Sequence, residues 1–483
     1  MNWFLILEIV YTLVVILVCF RIIWDTRSHT KTLAYLLVTI FLPVIGMIIY
    51  FSFGINYRKH KLYSKKLVED IVLAKKFQDE VRQSSLQVFD QNSAAVSSYR
   101  ELARLLVIDN LSALTSGNDV KLLINGEQKF PEVLKALEQA KHHIHIEYYI
   151  FEDGETARAI ENILIEKAKQ GVTIRFIYDD FGSRSIRKNM VRRLRDAGVQ
   201  VFPFYKIIFM ALANRLNYRN HRKIIVVDGQ VGFVGGINVS DRYVNNQPGK
   251  LFWRDTHVRI HGPGVHYLQY IFLCDWNFCA DDHVQPSELY FPPDDVFSNN
   301  GNKLVQIAAS GPDSDSPTIL YSLLQAINLA EKEILLTTPY FIPGESVLDA
   351  LITAALGGVT VKLLVPGVSD SVLVNSAARS YYDELLRAGV EIYLYTKGFV
   401  HAKTMVADRK LAIVGTANMD SRSFDLNFEV NAIIYDSQLA NELAAVFEND
   451  ITDAEKIITE AWLNRSIYKQ VLEKTARLVS PLL

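Results

Sequence analysis

The chain has 483 residues, 49% of them hydrophobic and 22% charged, with a formal net charge of −2 and a pI near 6.6. That is enough chain for two or three domains with sizeable cores, and it excludes a disordered tail. The near-neutral balance also argues against a nucleic-acid partner, because dedicated nucleic-acid binders carry a basic surplus.

The first elements are two apolar runs. Trp3 to Ile23 carries only Glu8 and Arg21 as charges, and Leu33 to Gly54 carries none. About 20 apolar residues suffice to span a bilayer. A cleaved secretory signal would show a cationic start, a shorter apolar stretch and a small-residue cleavage site, whereas this chain begins Met1-Asn2-Trp3-Phe4 and runs into a second apolar segment. Residues 1–56 are therefore expected to form a transmembrane hairpin with spans at about 3–23 and 33–54. Two buried helices of a soluble core are the alternative. Arg58, Lys59, Lys61, Lys65 and Lys66 follow the second run, against Arg21, Arg27 and Lys31 around the connection. By the positive-inside bias everything after Gly54 is expected to lie in the cytoplasm, behind a multi-pass anchor. Residues 57–117 read as a basic, helical linker without recognisable chemistry. Cys19, Cys274 and Cys279 lack zinc-ligand spacing and read as free packing residues.

From about residue 120 the pattern becomes apolar strands alternating with amphipathic helices, and it occurs twice. The strand Ile144 to Phe151, a helix over Ala157 to Gln170 and the strand Val172 to Tyr178 are matched by Ile334 to Phe341, Ser346 to Leu356 and Val359 to Val365. This predicts an α/β protein of two lobes, residues 118–285 and 286–483, each a mostly parallel sheet covered by helices.

Each unit ends in the same motif. The first has His221-Arg-Lys223 with Asp228, then Gly235-Gly236-Ile-Asn238; the second has His401-Ala-Lys403 with Asp408, then Gly415-Thr416-Ala-Asn418. His and Lys two apart on a strand share a face. Asp228-Gly229-Gln230 reads as a hairpin turn that returns the glycines and the asparagine beside that face. An imidazole, an ammonium, an amide donor and bare glycine backbone suit a phosphate, with His as nucleophile or proton carrier. Pairing the lobes would set two histidines on opposite sides of one phosphorus, one attacking while the other protonates the leaving oxygen.

These residues resemble the phospholipase D superfamily, whose signature is this duplicated motif, over roughly Asn118 to Asp436. The hairpin stretch Leu33 to Tyr50, the segment Trp253 to Pro263 and the ending Ser480-Pro-Leu-Leu483 look like its bacterial cardiolipin synthase branch. The resemblance implies that the lobes share one active site and that two phosphatidylglycerol molecules become cardiolipin and glycerol without metal or cofactor. It implies that His221 forms a covalent phosphatidyl-histidine, that His401 is general acid and then base, and that Asp255 and Glu429, one acid downstream of each motif, orient that motif's histidine. Asp228 and Asp408 are expected to brace the fold. Phosphatidylglycerol and anionic membrane lipids are the expected partners, nucleic acid is not, and the oligomeric state is left open.

Three weaker features accompany the motifs. His143, His145 and Glu147 alternate along one strand like metal ligands, yet Glu333, Leu335 and Thr337 in the second copy could not bind metal, so a polar strand face or a pocket is preferred. Phe204 to Leu216 is either an interfacial element or a buried helix. Arg184, Arg187, Lys188, Arg192, Arg193 and Arg195 hold headgroups or form a solvated face. A phospholipase D that hydrolyses the same intermediate is the closest competing function, followed by a nuclease of the same superfamily and a catalytically dead scaffold.

Overall fold

The structure, a computed structural model, describes residues 3–26, 29–51, 71–204, 218–246, 249–280, 282–297, 301–369 and 371–478. The basic residues 58–66, the interfacial stretch beyond Phe204 and the ending 480–483 lie outside the described residues.

Trp3–Asp25 forms helix α1, 23 residues long. It is the one helix among the described residues long and apolar enough to cross a membrane, and its apolar window is only 6% buried. The unbroken second span expected over 33–54 is instead two helices, α2 (His29–Phe41) and α3 (Pro43–Ile49). Pro43 has no N–H to donate, and its ring disfavours helical backbone at Leu42, which adopts φ −135° and ψ 68°. Within the linker, helix Arg100–Asn110 places Leu102, Ala103 and Leu106 in the core of the second lobe with Ile319 and Leu323.

The repeat folds as one walk taken twice. In the first lobe β1 (Thr115–Ile124), β2 (His143–Tyr148), β3 (Thr173–Tyr178), β4 (Gln200–Pro203), β5 (Lys223–Val227), β6 (Val231–Gly235) and β7 (Thr256–His261) lie in the order β1-β7-β6-β5-β2-β3-β4. In the second, β8 (Lys303–Ser310), β9 (Glu333–Thr337), β10 (Thr360–Pro366), β11 (Glu391–Tyr395), β12 (Thr404–Ala407), β13 (Leu411–Gly415) and β14 (Asn427–Tyr435) lie in the order β8-β14-β13-β12-β9-β10-β11, with β15 (Ala454–Lys456) at the outer edge.

Two expectations need correction. The lobes are mixed, not mostly parallel: among the strands just named β2-β3-β4 and β9-β10-β11 run parallel to one another, while the motif strands β5 and β12 pair antiparallel on both sides. The cause is local. Asp228 and Gly229 at φ 52° and 66°, and Asp408 and Arg409 at 52° and 53°, make tight turns that return the chain along itself. Nor does each lobe keep its own sheet, because β1 pairs antiparallel with β8 (Thr115↔Val305) and fuses the two into one. Across that seam Val226, Val234 and Val258 share a buried cluster with Ile307, Val414 and Ile434. Each such side chain is worth about 1.5–3 kcal/mol of burial, so the lobes are one packed body.

Asp228 accepts from the N–H groups of Lys141, His142 and His143 at 2.8, 2.8 and 2.9 Å. Asp408 accepts from those of Glu331, Lys332 and Glu333, and from the Tyr99 hydroxyl at 3.0 Å. Both carboxylates therefore tie the motif hairpin to the start of the neighbouring strand. Asp228 stands about 20 Å of extended chain away from His221. Removing its charged hydrogen bonds should cost on the order of 3 kcal/mol, at roughly 1–2 kcal/mol each after solvation. Asp228→Ala should thus melt several degrees lower in detergent, with Asp228→Asn between it and the parent; an unchanged melting temperature would contradict this role.

Candidate active site

Each motif histidine is set by a strand of the opposite lobe. The short segment Arg219–Asn220 pairs parallel with β14, and the His221 N–H donates to the Phe428 carbonyl at 3.0 Å. In the same way Gly398–Val400 pairs with Phe252–Arg254, and the His401 N–H donates to the Arg254 carbonyl at 2.7 Å. The residue after each of those carbonyls is the acid.

The side chains follow the backbone across. His221 Nδ1 lies 2.9 Å from Glu429 Oε2, and His401 Nδ1 lies 2.7 Å from Asp255 Oδ2; both carboxylates are fully buried. The expected pairing within each unit is therefore reversed: Asp255 serves His401 and Glu429 serves His221. The sequence carries no signal for this exchange, since each unit contains a suitable acid of its own. With Nδ1 engaged in both rings, Nε2 is the nitrogen left for chemistry. Glu429 is held in turn by the Thr416 hydroxyl and by Asn427 Nδ2 at 3.1 Å. Asp255 Oδ1 accepts from the Thr256 N–H at 2.7 Å.

The two lysines sit under the histidines. Lys223 Nζ donates to the His221 carbonyl at 2.6 Å, and Lys403 Nζ contacts the His401 carbonyl while lying 3.0 Å from His401 Nδ1. Asn238 Nδ2 donates to the Tyr243 hydroxyl and Asn418 Nδ2 to Asp420, each at 3.0 Å.

The glycine positions depart from the expectation of bare backbone for phosphate. A Cβ on Gly236 would stand 2.2 Å from Asp255 Oδ1, one on Gly415 would stand 1.8 Å from Asn431 Oδ1, and one on Gly235 would meet His257. The N–H groups of Gly236, Gly415 and Thr416 already donate to Thr256, Lys403 and Val430 carbonyls. Gly236 thus makes room for Asp255 and Thr416 bonds to Glu429, while Gly235 and Gly415 give clearance to His257 and Asn431.

Sequence reasoning passed over several neighbours. Tyr149, one residue past the end of β2, stacks edge-on to His221 with ring centroids 4.8 Å apart. The Tyr243 hydroxyl lies 3.4 Å from His401 Nδ1, and the Trp253 ring 5.6 Å from that imidazole. Arg222, between His221 and Lys223, is buried and pairs with Asp275. Its place in the motif was the available signal. Among the weaker features, His143 Nε2 and His145 Nδ1 each lie 3.1 Å from Gln269 Oε1, and Glu147 accepts from Asn220 Nδ2. That polar face packs beside the motif strand. Arg187 pairs with Asp180 and Arg193 with Glu161, so part of the basic segment is engaged within the lobe.

Burial sets the charge state. It lowers His221 below the ordinary imidazole range, aided by Lys223 and Lys403 and opposed by Glu429. It lowers His401 further, to about 3, with Lys403 the next cause and Asp255 opposing. Lys223 falls to about 7, again chiefly through burial. Burial would raise Glu429, but His221 and Lys223 outweigh it and hold the carboxyl below its usual value. Without substrate both imidazoles are thus neutral at pH 7, and each feels the other lobe's lysine.

The residues match a family described as "Cardiolipin synthase, PLD-like domain" over 133–256 and 323–451, and one described as "Phospholipase_D-nuclease N-terminal" over 10–54. The chain is 39% identical to the major cardiolipin synthase ClsA of Bacillus subtilis, covering 99% of both chains. It is 40% identical to the cardiolipin synthase of Alkalihalophilus pseudofirmus, covering 99% of this chain and 94% of that one. A solved phosphatidylserine synthase from Haemophilus influenzae shares the fold with a TM-score of 0.55 at 14% identity, covering 79% of this chain and all of that one.

Two outcomes test the geometry. Glu429→Gln removes the charge that opposes the lowering of His221, so His221 should titrate lower still while His401 is unmoved, and Asp255→Asn should do the reverse. Rates of carbethoxylation at each histidine against pH would show it, and an effect of Glu429→Gln on His401 alone would refute the exchange. A lysine lowered to about 7 carries charge below that pH and loses it above. Consequently kcat/KM should fall as pH rises past about 7, and the residual activity of Lys223→Arg, which stays charged, should lack that alkaline limb.

Proposed function

From the premise that this chain belongs to the phospholipase D-like cardiolipin synthase family, and so is a phosphatidyltransferase, we propose that its two lobes work on a single phosphate held between His221 and His401. The observation that carries this reading is the exchange of acids between lobes, because each histidine is oriented only when both lobes are in place. Lys223 and Lys403, each acting electrostatically on the histidine of the other lobe, add to it.

In the first step His221 Nε2 attacks the phosphorus of a phosphatidylglycerol. A P–N bond forms, the P–O bond to the headgroup glycerol breaks, and His401 gives its proton to the departing oxygen. Glu429 stabilises the charge that develops on His221. In the second step His401, now neutral, takes the proton from the free hydroxyl of a second phosphatidylglycerol. That oxygen attacks the phosphohistidine, the P–N bond breaks, and cardiolipin leaves with the site restored.

Because burial and Lys403 keep His401 neutral in the empty site, its protonation accompanies substrate binding, when the phosphodiester's negative charge offsets the lysine. Lys223, Lys403, Asn238 and Asn418 supply the positive field and the donors that steady the charged oxygens. The anchor is the apolar N-terminal region. The catalytic lobes lie on the cytoplasmic side, where the acceptor is concentrated in two dimensions and water is depleted. Orientation at such a surface supplies effective molarities up to about 10⁵ to 10⁸ M in the best intramolecular cases, far above water's concentration.

Purified protein given phosphatidylglycerol alone should form cardiolipin and glycerol, and excess glycerol should drive preformed cardiolipin back, since the bonds exchanged are alike. Mainly phosphatidic acid, with cardiolipin untouched by glycerol, would make the enzyme a hydrolase. His221→Ala should leave no radiolabel on the protein after brief exposure to labelled phosphatidylglycerol. His401→Ala should slow turnover by about 10²- to 10⁴-fold through the lost proton transfer. Label still trapped without His221 would reverse the two roles.

A further inference from the structure

The broken second apolar segment does more than shorten a span: its contacts fix the direction in which the chain leaves the membrane. Were α2 and α3 one straight helix, Tyr50 would lie about 30 Å from the start of α2, level with the first turn of α1. Instead the Tyr50 hydroxyl donates to Asp25 Oδ2, in the last turn of α1, at 3.1 Å. Tyr50 is buried there with Val18 and Ile22 of α1, and Arg21 lies over the Phe51 ring at 5.9 Å. The turn that makes this possible is at Leu42–Pro43, and the two arms meet at Gly46. A Cβ on Gly46 would stand 2.4 Å from Thr39 Cα, so no other residue allows the arms so close.

Part of the turn's backbone is satisfied within it. The Leu42 N–H donates to the Val38 carbonyl at 2.8 Å, the Leu42 carbonyl accepts from the Gly46 N–H at 2.7 Å, and Pro43 has no N–H to satisfy. The descending arm has 13 residues, about 20 Å, against an apolar bilayer thickness of about 30 Å, so it stops short of the far side. Helix α1 by contrast fits a full crossing. Trp3 and Trp24, both largely exposed, stand about 30 Å apart at its two ends, where tryptophan belts meet the two interfaces.

We infer that α1 is the membrane's one complete crossing among the described helices and that α2 and α3 form a re-entrant hairpin, entering and leaving the bilayer on the side of Asp25. The N-terminus and the catalytic lobes then lie on opposite faces of the membrane, whereas a two-span hairpin would put them on the same face. The charge pattern agrees. On a re-entrant path Arg21, Arg27 and Lys31 around the α1–α2 connection would share one side with the five basic residues from Arg58 to Lys66, whereas two spans would separate the two groups. The re-entrant path rests on contacts within residues 3–51 alone; only its absolute direction rests on the cytoplasmic placement proposed above.

The test is accessibility of single cysteines in full-length protein whose Cys19, Cys274 and Cys279 are serine and which still makes cardiolipin. Asn2→Cys, Thr30→Cys and Ser64→Cys are each treated with a membrane-impermeant maleimide, on intact protoplasts and after permeabilisation. Asn2→Cys should label on intact protoplasts, and Thr30→Cys and Ser64→Cys only after permeabilisation. Thr30→Cys labelling from the outside while Ser64→Cys stays protected would restore two spans and overturn the inference. If Thr30→Cys and Ser64→Cys both label from outside and Asn2→Cys is protected, the re-entrant path stands and the cytoplasmic placement falls.

Discussion

Carboxylates are exchanged between the lobes, and the fold is organised around that exchange. Glu429 reaches His221 and Asp255 reaches His401, each from the strand whose backbone also receives that histidine's N–H. A lobe alone would have an imidazole without its acid and a buried acid without its imidazole. An unpartnered buried carboxylate costs several kcal/mol, so the pairing welds the lobes as firmly as it arranges the site. Each histidine–acid pair thus draws one residue from each lobe.

Fusion of the sheet makes that exchange rigid. The β1–β8 pairing and the valine and isoleucine cluster across the seam fix the lobes at the distance the hydrogen bonds require. Hairpin turns at Asp228 and Asp408 then aim the motif strands, and their carboxylates fasten the turns to β2 and β9. Space is left for the acids by the small residue at Gly236, while the corresponding Thr416 spends its hydroxyl on Glu429. The same position in the repeat therefore serves the same acid-holding purpose by two routes, clearance in one copy and a hydrogen bond in the other.

Burying two histidines and two lysines beside two carboxylates is electrostatically expensive, and the lowered values of His221, His401 and Lys223 record that expense. In the proposed mechanism an anionic phosphodiester would relieve it: its charge would satisfy the ammonium groups and restore a proton to the imidazole that needs one, so that substrate binding would itself prepare the acid–base pair. Recruitment from a lipid surface suits such a site: the protein as a whole carries little net charge, and α1 exposes apolar side chains along nearly its whole length.

Much of this was legible in the residues. Strand and helix periodicity located the elements of both repeats to within a few residues, because side-chain alternation is a local property of each strand. The motif spacing singled out His221, Lys223, His401 and Lys403, although His221, His401 and Lys403 lie just before the motif strands and not on them, so the expected shared strand face is not what sets them. What the sequence could not decide was which copy's acid meets which copy's histidine, since Asp255 and Glu429 are equally placed by spacing and only the docking of lobes chooses between them. The turns at Asp228 and Asp408 settle the β5–β6 and β12–β13 pairings locally, but the antiparallel pairing of the motif strands with β2 and β9, and the joining of two sheets into one, were decided by strands meeting across long separations. The same holds at the N-terminus. Hydropathy alone reads residues 33–54 as a span, whereas the fold decides whether Pro43 kinks that segment or reverses it, because Gly46 can seat on Thr39 and Tyr50 can reach Asp25 only when the arms come back together.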